Sequence, residues 1–275
     1  MNWMNLPEKY RLDTSKTKIL PIQYENNPTY KKGSKNGSVE IIKASKQLDY
    51  YDSWYEKEIY EEGIQTLPII KANDFETLTK KVSTQIKKEK EFIISIGGDH
   101  AITIALVKAH KKDFGYVCLD AHADMWSSWK NSPNNHACVT NQIHKKHKTL
   151  LVGVRTMDAD EHNKIKKSRN ITLIRDEEFD FKIFQEELRK MPKNIYVSID
   201  VDSFTPKLIK NTGTPEPGGF EWYETISMIE EICKTKNVIG ADIVEFSPNH
   251  MFENEAYILA KLINKIIILK RLNES

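Results

Sequence analysis

The stretch YVCLDAHAD, residues 116–124, joins a short apolar run to three regularly spaced ionisable side chains. The run 116–119 has the length and composition of a buried strand. Asp120, His122 and Asp124 follow at every second position, and in an extended backbone such positions project to the same side. The stretch therefore predicts a strand whose end presents two carboxylates and one imidazole to a common point.

Apolar runs of similar length recur along the chain and alternate with segments of helical length. Strands are predicted at residues 18–23, 92–96, 116–119, 150–154, 171–174, 195–199 and 238–244. Helices are predicted near residues 38–49, 74–89, 101–111, 136–146, 158–167, 181–190, 221–235 and 253–270. Such regular alternation favours right-handed crossovers between parallel strands. We therefore expect an α/β fold with a mainly parallel central sheet and helices on both of its faces.

Three further polar clusters also begin where predicted strands end. The sequence reads GGDH at residues 97–100 and DVD at residues 200–202, and Glu245 follows the last predicted strand. The carboxyl ends of parallel strands form the ligand crevice of such sheets. The four clusters are therefore expected to converge on one site.

The converging side chains have the chemistry of a metal centre. Four carboxylates and two imidazoles are too many for one catalytic ion and suit two ions that share bridging carboxylates. Each residue alone has a simpler explanation, since a lone Asp after a strand is usually a helix cap and a lone His a satisfied core or surface group. Six such groups in one crevice without cations would be strongly unfavourable. The sequence thus predicts two metal ions held by His100, Asp120, His122, Asp124, Asp200 and Asp202.

Composition and charge argue against several other classes of protein. The chain has 275 residues, of which 39% are hydrophobic, and a single domain over residues 1–275 is expected. Its 41 basic and 39 acidic residues give a net charge of +2, so no overall field favours nucleic acid. No apolar run approaches the roughly 18 residues of a membrane span, and the three cysteines lack a CxxC spacing. With no evident targeting segment, we expect a cytoplasmic protein.

Three motifs resemble the metal-binding motifs of the ureohydrolase family, which contains arginases, agmatinases, guanidinobutyrases and formimidoylglutamases. These motifs are GGDH at residues 97–100, DAHAD at 120–124 and SIDVD at 198–202. The resemblance implies an arginase- and deacetylase-like fold with three layers, α/β/α, in a single ureohydrolase domain. Similar segments run along nearly the whole chain, namely LPEKY at 6–10, ILPIQYE at 19–25, GVRTMDADE at 153–161, NTGTPEPGG at 211–219 and DIVEFSP at 242–248.

Two segments are more similar to agmatinases than to arginases, HACV at residues 136–139 and PEPGGFEWYE at 215–224. The resemblance therefore implies hydrolysis of agmatine to putrescine and urea, a step of polyamine biosynthesis. Arginine, guanidinobutyrate, aminopropylagmatine and formimidoylglutamate stay open as substrates, and a non-catalytic regulatory subunit is a further alternative. The trimers and hexamers of the family imply a homo-oligomer.

The resemblance also implies how the ligands divide between the two ions. One ion would be held by His100, Asp120, Asp124 and Asp200, and the other by His122, Asp120, Asp200 and Asp202. Asp120 and Asp200 would then bridge both ions. Carboxylate-rich sites with one imidazole per metal suit Mn²⁺, although Ni²⁺, Co²⁺ or Fe²⁺ fits the same ligands.

Catalytic roles follow from the same resemblance. Asp124 would accept a hydrogen bond from the nucleophilic water, and His136 would carry a proton to the leaving amine. Glu245 would bind the guanidinium through paired hydrogen bonds. His136 has the alternative of capping or packing at the start of its helix. Trp126 and Trp129 stand where the family places substrate contacts, but core or interface packing explains them equally well.

Two positions depart from the family's pattern. Thr205 stands where the motif DxDxxDP usually has its third aspartate, and Lys31 stands where a glycine is usual. Thr205 does not affect the ligand assignment, because that position is not among the implied metal ligands. Lys31 bears on the loop that would border the substrate.

Overall fold

Nine strands form one sheet in the computed structural model, which describes residues 1–110, 113–249 and 254–273. The strands of the described chain are β1 (Thr17–Gln23), β2 (Tyr51–Asp52), β3 (Lys57–Glu58), β4 (Ile64–Thr66), β5 (Ile70–Lys71), β6 (Phe92–Ile96), β7 (Gly115–Leu119), β8 (Thr149–Val154), β9 (Ile171–Arg175), β10 (Asn194–Asp200) and β11 (Asn237–Val244). The order in the large sheet is β4-β1-β6-β11-β10-β7-β8-β9, and β5 also pairs with β1. Each of these pairings is parallel, whereas β2 and β3 form a separate antiparallel pair.

Helices cover both faces of this sheet. The helices of the described chain are α1 (Gly37–Ser45), α2 (Phe75–Ile86), α3 (Ala101–Ala109), α4 (Val139–Ile143), α5 (Ala159–Lys167), α6 (Phe181–Arg189), α7 (Trp222–Thr235) and α8 (Asn254–Leu272). One apolar core lies between the sheet and α1, α6, α7 and α8, and the other lies between the sheet and α2 to α5. This arrangement confirms the predicted three-layer α/β/α fold with a parallel central sheet. None of the described helices has both the length and the apolar character that crossing a bilayer requires.

Burial on both faces explains why the central strands are apolar along their whole length. Every residue of β6 and β7 is buried. Within β6, Ile93 belongs to one core and Ile94 to the other, and in β11 Ile243 and Val244 divide in the same way. A parallel sheet covered by helices on both faces requires such continuous apolar strands.

The predicted strands agree with the structure to within one residue at each end. The helix expected at residues 136–146 is shorter, because a 3-10 turn (His136–Cys138) precedes α4 and the chain must then reach β8. The helix expected at 38–49 ends at Ser45. Residues 111 and 253, where two predicted helices end and begin, lie outside the described residues.

Candidate metal centre and substrate cavity

The sheet brings the predicted polar clusters together at its carboxyl edge. The strands that precede the clusters, β6, β11, β10 and β7, are consecutive neighbours in the sheet. A cavity of about 270 Å³ opens over their ends. Its lining includes most of the predicted site residues, namely His100, His122, Asp124, His136, Asp200, Asp202 and Glu245.

His100 lies at the buried end of this cavity and is only 1% exposed. Its Nδ1 atom is 3.1 Å from Asp124 Oδ2 and 3.3 Å from the Oδ2 atoms of Asp120 and Asp200. These are the four side chains that the resemblance assigns to one ion. The structure therefore places them around a common point, while their roles as ligands stay a prediction.

His122 marks a second group of ligand atoms beside the first. Its Nδ1 atom is 2.8 Å from Asp202 Oδ2 and 3.8 Å from Asp120 Oδ1. Asp120 thus directs one oxygen toward each imidazole, as a bridging carboxylate must. Asp200 faces His100 with Oδ2, and its Oδ1 accepts a hydrogen bond from the backbone N–H of Asp202 at 3.0 Å.

Backbone N–H groups fix the directions of these carboxylates. Asp120 Oδ1 accepts from His122 N at 2.7 Å, and Asp202 Oδ1 accepts from Ala121 N at 3.0 Å. The ends of β7 and β10 are therefore connected across the site. Their acidic side chains are held by the fold itself, because the donors belong to the main chain of the same two strand ends.

Crowding of buried carboxylates disturbs their acidities. Burial raises the pKa of Asp120 to about 7, and the neighbouring Asp124 and Asp202 act in the same direction. Burial and the same kind of repulsion raise the pKa of Asp200 well above its ordinary value. Asp202 differs, because the effect of burial is outweighed by His122, so its pKa is lowered. The cluster as a whole has an excess of negative charge that a bound cation would neutralise.

The surroundings of one buried atom, His100 Nδ1, indicate whether the side chains at this site suit a metal ion. His100 Nδ1 has no hydrogen bond partner, although three carboxylate oxygens lie within 3.3 Å of it. A buried nitrogen among carboxylate oxygens is costly unless a proton or a cation lies between them. The set of imidazole and carboxylate donors fits a divalent ion such as Mn²⁺.

Glu245 directly follows β11, beside the centre, and has an unusual backbone conformation. Its Oε1 atom accepts from the backbone N–H of His100 at 2.6 Å. Burial, together with Asp99 and Asp200, raises the pKa of Glu245 well above its ordinary value. Its φ angle is +65°, and that of Asp124 is +52°. Residues other than glycine rarely adopt this left-handed backbone conformation, and those that do cluster at functional sites.

His136 is oriented by two partners at the side of the cavity. Its Nδ1 atom lies 3.5 Å from Asp99 Oδ2, and its Nε2 atom is 2.8 Å from Thr29 Oγ1. Burial alone would lower the pKa of His136, but Asp99, helped by Glu245 and Asp124, raises it to about 9. The 3-10 turn at His136 is capped by Asn135, whose side chain accepts from Ala137 N. Capping is therefore the task of Asn135 and not of His136.

The outer part of the cavity is built from loops. Trp126 and Trp129 both line it, with ring centroids 5.2 Å apart in an edge-to-face pair. Asp158 and Glu161 lie at the start of α5, where each accepts a backbone N–H of the other. Lys31 is the one lysine or arginine in the lining that the structure describes. The two tryptophans are thus placed at the cavity and not in the core.

Sequence reasoning missed several polar residues that support the centre. Arg155 binds the backbone carbonyls of Asp202, Phe204 and Glu216 through Nη2, which holds the loop after β10. Thr29 contacts His136 from a segment more than a hundred positions earlier in the chain. The motif GVRTMDADE contained Arg155, but no spacing rule connects an arginine to carbonyls on another loop.

A carboxylate-rich centre at the carboxyl edge of a parallel sheet is typical of metal-dependent hydrolases with an α/β fold. A profile of the arginase family matches residues 15–269. The chain is 33% identical to an agmatinase of Pyrococcus horikoshii over 90% of each sequence. It is 30% identical to an N(1)-aminopropylagmatine ureohydrolase of a Synechocystis strain, over 90% of this chain and 87% of the relative. The chain therefore belongs to the arginase family and is a hydrolase of amidino or guanidino bonds.

Solved structures show the same fold. The agmatine ureohydrolase of Thermoplasma volcanium superposes with a TM-score of 0.87 at 27% identity, covering 94% of this chain and 91% of that one. An arginase from Medicago truncatula superposes with a TM-score of 0.78 at 19% identity, covering 94% and 88%. These superpositions confirm the predicted fold.

Proposed function

We propose that this chain hydrolyses agmatine to putrescine and urea at a centre of two divalent metal ions, with Mn²⁺ the expected metal. The observation that supports the centre is the convergence of three carboxylates on the unpartnered Nδ1 atom of His100. When bound, a pair of divalent ions supplies a strong nucleophile from water at neutral pH. The residues of the chain then bind the substrate, orient it and move protons.

Glu245 is proposed to bind the guanidinium. One of its oxygens is already fixed by the backbone N–H of His100, so the carboxylate is held in place before the substrate arrives. A guanidinium is cationic and planar, and it pairs with a carboxylate through charge-assisted hydrogen bonds. Such a cation also favours the charged form of Glu245, whose pKa is otherwise raised by burial.

His136 is proposed to give the leaving amine its proton. Asp99 lies beside Nδ1 and Thr29 beside Nε2, and a pKa of about 9 favours the protonated ring at neutral pH. The proton given to the amine is then the one that Nε2 shares with Thr29, while Asp99 stabilises the ring through Nδ1. A ligand atom of His136 lies within 4.8 Å of one from Glu245, so the proton donor stands beside the proposed guanidinium carboxylate. Asp124, next to His100, is proposed to accept a hydrogen bond from the attacking water.

The outer cavity supports a substrate with a cationic tail. Asp158 and Glu161 contribute two carboxylates to the described lining, against one ammonium from Lys31. Trp126 and Trp129 add aromatic faces, which attract ammonium groups. Agmatine ends in an amine, whereas arginine and guanidinobutyrate carry a carboxylate that would face the acidic residues.

A second candidate is hydrolysis of N(1)-aminopropylagmatine. Relatives of that name are 29–30% identical to this chain, and the acidic outer wall suits a longer tail with a further amine. The two candidates share all the chemistry at the metal centre. They differ only in how far the substrate extends past Trp126.

Urea release with added Mn²⁺ tests these alternatives across agmatine, aminopropylagmatine, arginine and guanidinobutyrate, with glutamate and formamide measured for formimidoylglutamate. We expect agmatine to exceed arginine in kcat/KM by at least about a hundredfold, because an unpartnered substrate carboxylate costs several kcal/mol. Arginine equal to or better than agmatine would contradict the substrate assignment. No turnover of any compound would favour the regulatory subunit.

We expect the metal to be Mn²⁺, the chain to form a trimer or hexamer, and the enzyme to work in the cytoplasm. Elemental analysis of the purified protein identifies the metal, and light scattering during size-exclusion chromatography gives the number of subunits. Fluorescent tagging in the native cell shows where the enzyme is located.

A further inference from the structure

A buried chain of hydrogen bonds lies behind His100, on the side away from the cavity. His100 Nε2 is 3.1 Å from Ser198 Oγ, and Ser198 Oγ donates to Asp242 Oδ1 at 2.6 Å. Asp242 Oδ2 also accepts from Tyr196 OH at 2.8 Å and from Thr103 Oγ1 at 3.0 Å. Ser198 and Asp242 are both 0% exposed. The proposed mechanism uses neither of them.

The directions of these hydrogen bonds determine where His100 carries its proton. Three hydroxyl groups converge on the two oxygens of Asp242, which therefore act as acceptors. The only hydrogen of the Ser198 hydroxyl is used on Asp242, so its oxygen is left to accept. His100 must then donate from Nε2, and a neutral ring with hydrogen on Nε2 has its lone pair on Nδ1.

We propose that Asp242, acting through Ser198, fixes His100 in the tautomer that presents the Nδ1 lone pair to a metal ion. The inference rests on the metal centre proposed above and not on the identity of the substrate. Asp242 and Ser198 are positioning residues, because neither reaches the cavity lining of the described chain. A carboxylate that orients a ligand imidazole in this way typically raises metal affinity about 10- to 100-fold.

The other imidazole of the centre is supported differently. His122 Nε2 is 3.3 Å from Thr214 Oγ1, a neutral hydroxyl, and its side chain is 26% exposed. His100 has instead a fully buried connection to a carboxylate. The two halves of the centre should therefore differ in affinity, with the ion at His100 bound more tightly than the ion at His122.

Competition of the Mn²⁺-loaded protein against a chelator, followed by elemental analysis, tests this inference. In Asp242→Asn, the amide can donate to Ser198, whose hydroxyl then donates to Nε2 and leaves hydrogen on Nδ1. We expect one of the two ions to lose about 10- to 100-fold in affinity while the other is unchanged. Two unchanged affinities would overturn the inference, whatever the urea assay gives.

A second variant separates the tautomer from a simple effect of charge. Ser198→Ala keeps the Asp242 carboxylate but breaks the hydrogen-bond connection between Asp242 and His100. If the tautomer of His100 matters, this variant should lose affinity for the same single ion. If only the charge of Asp242 matters, its metal affinities should not change. Ser198→Ala with wild-type affinities therefore overturns the inference, also if Asp242→Asn fails to fold. Thr214→Val is the matched control, and it should weaken the other, more loosely held ion and by a smaller factor.

Failure of the inference and failure of the proposed function give different results. If the wild-type protein holds two ions but releases no urea from any substrate, the function is wrong and the affinity shift is still expected. If agmatine is hydrolysed and both variants bind two ions as the wild type does, the function stands and the inference is wrong. Fewer than two ions in the wild type would contradict both.

Discussion

The two ends of the cavity are built in different ways. At the inner end, His100, Asp120 and Asp200 follow buried strands and are 1–3% exposed. At the outer end, Tyr30 and Trp126 lie on loops and are 72% and 39% exposed. The carboxylates of Asp120, Asp200 and Asp202 are also fixed by backbone hydrogen bonds from the ends of β7 and β10.

This difference separates the chemistry from the choice of substrate. Strands of a packed sheet position side chains more precisely than loops can, which suits groups that must share metal ions. Loops tolerate substitution and insertion, so specificity can change there without disturbing the centre. Substitutions at the inner end should therefore abolish turnover of every substrate, whereas substitutions at the outer end should change the ranking of substrates.

The largest effect is expected for Asp120→Ala. This side chain faces both His100 and His122, so its removal should lower both metal content and turnover. A metal ion supplies on the order of several kcal/mol of catalytic stabilisation, which corresponds to a loss of at least about 10³-fold. Elemental analysis and urea release measure the two effects. Asp160→Ala is the control, since that side chain is 73% exposed in an ion pair with Lys164. Two ions bound at full occupancy in Asp120→Ala would contradict the proposal that Asp120 bridges them.

His136→Ala should lower kcat by about 10²-fold or more, because positioned proton transfer contributes that much. The ions should stay bound, since His136 contacts Asp99 and Thr29 and none of the six proposed ligands directly. Steady-state rates combined with metal analysis distinguish a loss of proton transfer from a loss of metal. Added imidazole should restore part of the rate. His162→Ala, outside the described cavity lining, is the control. Loss of metal would show that His136 supports the ions.

A smaller effect is expected for Thr29→Val, which removes the partner of His136 Nε2. A hydrogen bond of this kind contributes about 0.5–1.5 kcal/mol, so kcat should fall about twofold to tenfold. Thr29→Ser keeps the hydroxyl and should retain nearly full activity. If both variants behave as the wild type does, the orientation of His136 depends on Asp99 alone.

The smallest effect is expected for Lys31→Ala at the outer end. Removing this ammonium should raise kcat/KM for agmatine by up to about fivefold, the scale of an exposed charge interaction. For guanidinobutyrate it should lower kcat/KM, because a carboxylate loses its one cationic neighbour in the described lining. Lys32→Ala is the matched control, since Lys32 does not line the cavity. If kcat/KM changes by the same factor for agmatine and guanidinobutyrate, Lys31 does not take part in recognising the tail of the substrate.

The inner end was predictable from sequence because polar residues that directly follow a buried apolar run lie at the carboxyl edge of the sheet. The period-two spacing of Asp120, His122 and Asp124 was a weaker guide, since β7 ends at Leu119 and Asp124 has a left-handed backbone. Strands β2 to β5 were not predicted, because two or three residues are too few to show alternation. The outer end was predicted least well, since loops bring together residues such as Thr29 and His136 that no local pattern connects.

The supporting contacts were missed for a related reason. Ser198 and Asp242 each stood inside a recognised motif, but their pairing depends on the register between β10 and β11, where they are direct neighbours. The left-handed backbone at Asp124 and Glu245 was not predicted either, because neither side chain marks such a conformation as reliably as glycine does.

That left-handed backbone has a consequence for engineering the protein. At Asp124 and Glu245 the φ angles of +52° and +65° would suit glycine without strain, and the strain of a larger residue there is about 1 kcal/mol or more. Glycine at either position would relieve this backbone strain, but it would also remove a proposed catalytic carboxylate. At these two positions higher stability and catalytic activity are opposing requirements, so variants selected for stability must be selected for turnover as well.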